Sequence, residues 1–259
     1  MRPYVQSPHV VQHDERVQLL RSFEENLLIG KSPLRGPFQG TRGVAWTFTL
    51  PGLTKLLGTC PWLAPALSAL ALHGPAQTCS RFPSLRRHAP FNAFYLNLLE
   101  VSVGEGVAAH LDTTLRETVE LPELFPNEVS VLWVTAPPTL VGGELRLFKG
   151  AKVLATLPPA PGDVVHFNGQ LLHQILPIEC INDSTENHPS RRISLICEKY
   201  RVPRGALHKV PPLKRHARGL FSRYLKRARG RPPKPFEADS PAQTPPLSQD
   251  KLERGFEIV

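Results

Sequence analysis

A chain of 259 residues with 41% hydrophobic and 20% charged residues has close to ordinary globular composition, and its length suits one domain with attachments better than two equal domains. The formal net charge of +9 is unevenly placed: twelve Lys and Arg and no Asp or Glu lie between positions 201 and 235, which leaves the remainder at about −3. The body is therefore excluded as a basic surface, and any affinity for nucleic acid or membranes must rest on the C-terminal stretch.

Residues 1–4 lack the apolar run of a signal peptide, and the most apolar stretch, 62–72, is too short to cross a bilayer; a cytoplasmic protein without membrane insertion is the expectation. Over 13–28 the apolar residues Val17, Leu20, Phe23, Leu27 and Leu28 recur at helical spacing, so an amphipathic helix is predicted. Five Pro and Gly residues then make 32–43 a loop, 44–50 has the β-branched and aromatic content of a strand, and 63–72 reads as a short helix. Beyond Pro90 come short apolar runs separated by turn residues: 94–103, 106–111, 129–135, 143–148, 152–157, 163–167, 174–178 and 193–200. Eight such strands predict a mainly β fold, a double-sheet jelly roll with flanking N-terminal helices. Cys60, Cys79, Cys180 and Cys197 form no C-x-x-C pair and are expected as free thiols. The expected organisation is a helical lead over 1–43, a β domain over 44–203 and a basic, Pro-rich tail over 204–259.

Within the β region, His110-Leu111-Asp112 places a histidine and a carboxylate two apart, a spacing that lets both point to one side of a strand while Leu111 faces the other. A metal that must keep three coordination positions open takes two histidines and one carboxylate. The same spacing also occurs at His13 and Glu15, so the weight of the pair comes from an ordered series of features downstream: Gly142-Gly143-Glu144-Leu145, Pro161-Gly162-Asp163, Val164-Val165-His166-Phe167, His173, and Arg192-Ile193-Ser194. His173 is preferred over His166 as the distal ligand, and His188 is read as solvent-facing. Arg192 can grip a carboxylate by two parallel charge-assisted hydrogen bonds, with Ser194 on the same strand face. Trp133 reads as core, and the Gly142-Gly143 pair as a tight turn.

In these motifs and their order, residues 94–202 resemble the catalytic core of the Fe(II)/2-oxoglutarate dioxygenases, nearest to the prolyl 4-hydroxylase-like branch. The resemblance implies a double-stranded β-helix with His110, Asp112 and His173 holding Fe(II), and Arg192 with Ser194 holding the far carboxylate of 2-oxoglutarate. It implies a C–H hydroxylation driven by O2 and 2-oxoglutarate, with release of succinate and CO2, on a protein side chain such as proline or on a small molecule. Asp112, in place of a small residue, favours hydroxylation over halogenation. Three features depart from the pattern: Val101 stands where an aromatic is usual, so that Tyr95 becomes the candidate cosubstrate contact; the polar segment 180–189 is long; and Glu198 occupies the position of the second arginine of the nucleic-acid dealkylase branch.

The tail places Leu220, Phe221, Tyr224 and Leu225 on one side of a possible helix, followed by Arg229-Gly230-Arg231-Pro232, which resembles an AT-hook. The alternative reading is thus a nucleic-acid-binding protein acting through residues 204–235, with the jelly roll as a metal-binding scaffold.

Overall fold

The computed structural model of the chain describes residues 3–25, 41–72, 91–136, 140–180 and 191–217. The expectations for Leu27, Leu28, Cys79, His188 and the tail from position 218, including its AT-hook-like tetrapeptide, lie outside these residues.

Two antiparallel sheets face each other across the core. The larger runs in the order β1 (Tyr4–Ser7), β9 (Val164–Phe167), β5 (Glu128–Thr135), β12 (Arg191–Tyr200), β3 (Ala93–Ser102), β2 (Arg42–Thr49) and β13 (Leu213–Ala217). The smaller runs β4 (Val107–His110), β10 (Leu172–Ile175), β7 (Leu145–Lys149) and β8 (Lys152–Leu157). A ribbon of β6 (Leu140–Gly142) and β11 (Ile178–Cys180) closes one end. This is the double-sheet jelly roll that the strand pattern predicts.

The alternation of residues along β12 explains how one strand serves both sides of the sheet. Ile193, Leu195 and Cys197 face a hydrophobic layer beneath the helices, whereas Arg192, Ser194, Ile196 and Glu198 face the cavity between the sheets. The inter-sheet core is built by Val129, Val131 and Trp133 of β5 against Leu145 and Leu147 of β7.

The outer layer consists of α1 (His13–Glu25), α2 (Leu50–Thr59), a 3-10 turn (Pro61–Leu63) and α3 (Ala64–Ala69). On α1 the buried stripe is Leu19 and Phe23, one helical turn apart, with Phe23 edge-on to Trp62 at 5.1 Å. Val17, expected on that stripe, is 41% exposed. Each fully buried Leu or Phe contributes roughly 1.5–3 kcal/mol, which is how helices this short hold their place.

Helix α2 falls in a stretch to which the sequence reading assigns no element, and it contains Pro51 and Gly52, residue types that ordinarily interrupt helices. Pro51 sits in the first turn, where its missing N–H costs nothing. Gly52 packs so closely under the chain that an added Cβ would lie 1.5 Å from the Pro212 carbonyl.

The sheet also extends past the boundaries expected from composition. Strand β1 pairs with β9, and β13 pairs with β2, so residues from the N-terminal lead and from the first part of the basic stretch form the two sheet edges. Both strands are short and polar, and their pairing partners lie far off in sequence, which is why a local pattern misses them. Short helices α4 (Thr114–Val119) and α5 (Arg204–Leu207) flank one end, where Leu115, Val119, Tyr95 and Tyr200 share a cluster. Among the described residues, no helix is long and apolar enough to cross a membrane.

Candidate metal centre

His110 is the last residue of β4, and His173 lies opposite it in β10. The sequence pattern starts that second strand one residue after His173; pairing with both β4 and β7 draws the histidine into the sheet. Asp112 lies just beyond the end of β4, and Leu111 between them is 39% exposed, facing away as the alternation requires. The ligand atoms of His110, Asp112 and His173 all lie within 4.8 Å of one another. Each histidine Nε2 is 3.5 Å from one carboxylate oxygen of Asp112. The two rings approach to 4.3 Å between centroids, and Phe167 packs edge-on against His173.

The second ring nitrogens decide what this cluster can hold. His110 Nδ1 lies 2.8 Å from the Ala108 carbonyl, and His173 Nδ1 lies 3.0 Å from the Leu171 carbonyl. A carbonyl only accepts, so both protons sit on Nδ1 and both Nε2 atoms present lone pairs. Burial pushes the His173 imidazole below the ordinary histidine value, against the pull of Asp112, and so favours this neutral form. Two imidazole lone pairs and a carboxylate thus converge. Their 3.5 Å separations exceed the usual N–H···O range of roughly 2.7–3.2 Å. They suit ligands of one ion, since donors about 2.1 Å from a metal at right angles lie about 3 Å apart.

The triad opens on a narrow cavity of about 40 Å³ between the sheets. Arg192 reaches it from β12 with 1% exposure, and its Nη1 donates to the Gly143 carbonyl. That contact depends on the glycine pair: Gly142 and Gly143 have φ of +84° and +70°, and a Cβ on Gly143 would stand 3.3 Å from Arg192 Nη1. Burial lowers the Arg192 guanidinium to about 10, opposed by Glu144, so it remains cationic at neutral pH. Arg192 Nε and the Ser194 hydroxyl are both buried and make no hydrogen bond among the described residues. A buried cation and a hydroxyl with spare donors, beside a site for a dication, fit a small dicarboxylate.

Tyr95 does not line this cavity. It shares a strand face with Asn97 but sits at the far end, packed with Ala45, Leu115 and Val119 and tilted against His216 at 6.1 Å. The cosubstrate contact expected of Tyr95 is therefore corrected: α4 covers the ring and takes it into the flanking core. Trp133 is fully buried in the inter-sheet core, and His166 lies on the opposite sheet face, bonded to Ser130 at 2.7 Å. His13 is exposed on α1, where Glu15 accepts the Gln12 backbone N–H.

No protein-family model and no curated protein matches the sequence. Solved structures with a similar outline include a prolyl-4-hydroxylase from Pseudomonas putida, 18% identical, covering 78% of this chain and 95% of that one with a TM-score of 0.46. A prolyl hydroxylase from Trichoplax adhaerens, solved with a hypoxia inducible factor peptide fragment, is 10% identical and covers 76% and 83% at a TM-score of 0.49. A 2OG-Fe(II) oxygenase family protein from Burkholderia pseudomallei is 14% identical and covers 77% and 85% at 0.46. This likeness is one of outline; the chemistry of the site rests on its own side chains.

Two cavity residues escape the sequence reading. Glu198 registers there only for the arginine it replaces, and Asn97 is given no role, yet both line the cavity with the triad. Their signal lies in the alternation of β12 and β3, which puts 192, 194, 196 and 198 on one face of the sheet with 97 and 99 of the paired strand beside them.

Proposed function

We propose that the chain is a 2-oxoglutarate-dependent non-haem iron(II) oxygenase that hydroxylates a C–H bond of a protein side chain or small molecule. The observation that carries this reading is the pairing of two Nδ1-protonated histidines and Asp112 with a buried Arg192 and Ser194 across one cavity. His110, Asp112 and His173 would hold iron(II) on one face and leave three positions open. When bound, iron supplies the activation of O2, with 2-oxoglutarate giving succinate and CO2 as one oxygen atom enters the substrate C–H bond.

The remaining work belongs to the chain. Arg192 offers its guanidinium to the far carboxylate of the cosubstrate, and the Ser194 hydroxyl donates beside it. Leu99, Val107, Val131, Phe167 and Ile175 wall the cavity with apolar surface and exclude water, which strengthens both electrostatic contacts. The Ala108 and Leu171 carbonyls hold the two imidazoles in the tautomer that binds metal.

Anaerobic titration with Fe(II) and 2-oxoglutarate, followed by visible absorption, tests the proposal. The wild type should develop a weak band, His173→Ala should show none, and Arg192→Ala should need far more cosubstrate. Absence of the band in the wild type rejects the assignment.

A further inference from the structure

Behind Arg192 lies a second cavity, of about 540 Å³, that the proposed reaction does not use. It sits at the end closed by the β6–β11 ribbon. Val141 and Ile178 of that ribbon, with Pro158, Pro159 and Pro161 from the segment between β8 and β9, wall it with apolar surface. None of His110, Asp112 and His173 borders it. Among the described residues, Arg192 alone is shared by the linings of this cavity and the catalytic one, so its side chain stands between them.

Two charged groups of opposite sign interrupt the apolar wall. Glu144 is half-buried, and its carboxylate makes no hydrogen bond among the described residues. Its charge favours the cationic form of Arg192, yet the two form no ion pair, so their charged atoms stand more than 4.0 Å apart. Arg192 is 1% exposed, and its Nε has no acceptor. A guanidinium has more N–H donors than the Gly143 carbonyl and one cosubstrate carboxylate take up. A cation and an anion that stay unjoined beside an apolar wall are complementary to a ligand that carries both charges. An ammonium and a carboxylate on one carbon, each adding a hydrogen bond of about 3 Å, bridge such a gap. A simple amine would leave Arg192 Nε without an acceptor, and a simple acid would leave Glu144 without a donor.

We infer that this second cavity binds a free apolar α-amino acid, with its carboxylate on Arg192, its ammonium on Glu144 and its side chain against the prolines and Ile178. It is an effector site and not the substrate site, because no residue of the triad borders it. Two carboxylates that draw on one guanidinium repel each other, so the amino acid and the cosubstrate each weaken the other's binding by the same factor. That coupling rests on the oxygenase reading; the amino-acid site itself does not.

Calorimetric titration of the full-length protein with leucine, valine and phenylalanine tests the inference. Leucinamide lacks the carboxylate, N-acetylleucine lacks the ammonium and glycine lacks the apolar side chain. Each should bind more weakly than leucine by on the order of 10-fold or more. Glu144→Gln should weaken leucine by about the same factor and narrow its advantage over N-acetylleucine. Ala160→Trp, which fills the cavity from a partly exposed wall position, should abolish leucine binding while the Fe(II) and 2-oxoglutarate band stays as in wild type. This second variant keeps the test decisive where Glu144→Gln folds poorly. His173→Ala should bind leucine as the wild type does. In Fe(II)-loaded wild type, leucine should raise the 2-oxoglutarate needed for the band by on the order of 3-fold or more. The inference is overturned if none of the three amino acids binds, if leucinamide or N-acetylleucine matches leucine, or if leucine binding survives Ala160→Trp. Loss of leucine binding in His173→Ala overturns it too, since leucine would then sit at the metal site, as does an unchanged need for 2-oxoglutarate. Leucine binding with this selectivity in a wild-type protein that shows no band overturns the oxygenase reading instead and supports the amino-acid site.

Discussion

Arg192 brings a guanidinium into an apolar cavity, where the Gly143 carbonyl and, at longer range, Glu144 answer its charge. An acid placed there gains a desolvated partner with fixed geometry, and geometry separates arginine from lysine. Arg192→Lys keeps the charge but loses the planar fork, and should weaken 2-oxoglutarate binding by roughly 1.5–3 kcal/mol, about 10- to 150-fold. Ser194→Ala should cost less, about 0.5–1.5 kcal/mol. Cosubstrate titrations of both variants, read against unchanged Fe(II) binding, check the ordering. Gly143→Ala forces a side chain to φ +70° and crowds both Arg192 and Ile178. It should destabilise the fold by about 1–2 kcal/mol in urea denaturation and weaken cosubstrate binding as well.

At the scale of elements, β12 is the seam of the molecule. It pairs along its whole length with β3 and along most of it with β5. Its cavity face carries the site, and its other face carries a buried polar knot. There Lys199 Nζ meets Glu128 Oε1 at 2.7 Å, and Ser130 holds His166 at 2.7 Å, all four residues no more than 1% exposed. Lys199→Met matches the side-chain length but takes the lysine cation from the buried Glu128 carboxylate, which also lies 3.7 Å from His166 Nδ1, and should cost about 3–5 kcal/mol of stability. Adding Glu128→Gln to Lys199→Met should recover a large part of that loss, because the buried negative charge is gone. Denaturant midpoints of the single and double variants measure the coupling directly. At the outer end of the seam, Glu100 is held by Arg42 at 3.1 Å and Arg191 at 3.0 Å, and Arg191 also reaches Glu24 of α1. This chain of charges ties α1 to the strand that carries Arg192.

Across the whole molecule, the sheets enclose the site between them and keep Cys197 at the sheet centre on the face under the helices. Burial pushes the Cys197 thiol up to about 12 and raises that of Cys60. A thiol in that state stays protonated at pH 8, and no reagent reaches it without opening the sheet. Cys197 should therefore resist alkylation in the native protein at pH 8 and react at the rate of global unfolding, which mass spectrometry of alkylated peptides tracks. Alkylation of Cys197 within minutes under native conditions would contradict the sheet order around β12.

The sequence by itself determined the jelly roll, the eight strands of its core and the triad, because these depend on period-two alternation and on motifs whose members are two residues apart or fixed in order. It also singled out Arg192 and Ser194, which share a strand face by parity alone. Only the tertiary structure decided what depends on distant pairing. Strands β1 and β13 are too short and polar to declare themselves, and they exist because β9 and β2 offer open edges. Helix α2 depends on Pro212 crossing over Gly52. Tyr95 has the right face and the wrong end of the strand, a distinction made by the placement of α4. Glu198 is visible in the sequence only as an absent arginine; the fold brings Thr114, Tyr200 and Asn97 around it, since residues 97, 114 and 198 converge only when the sheet and its flanking helix close.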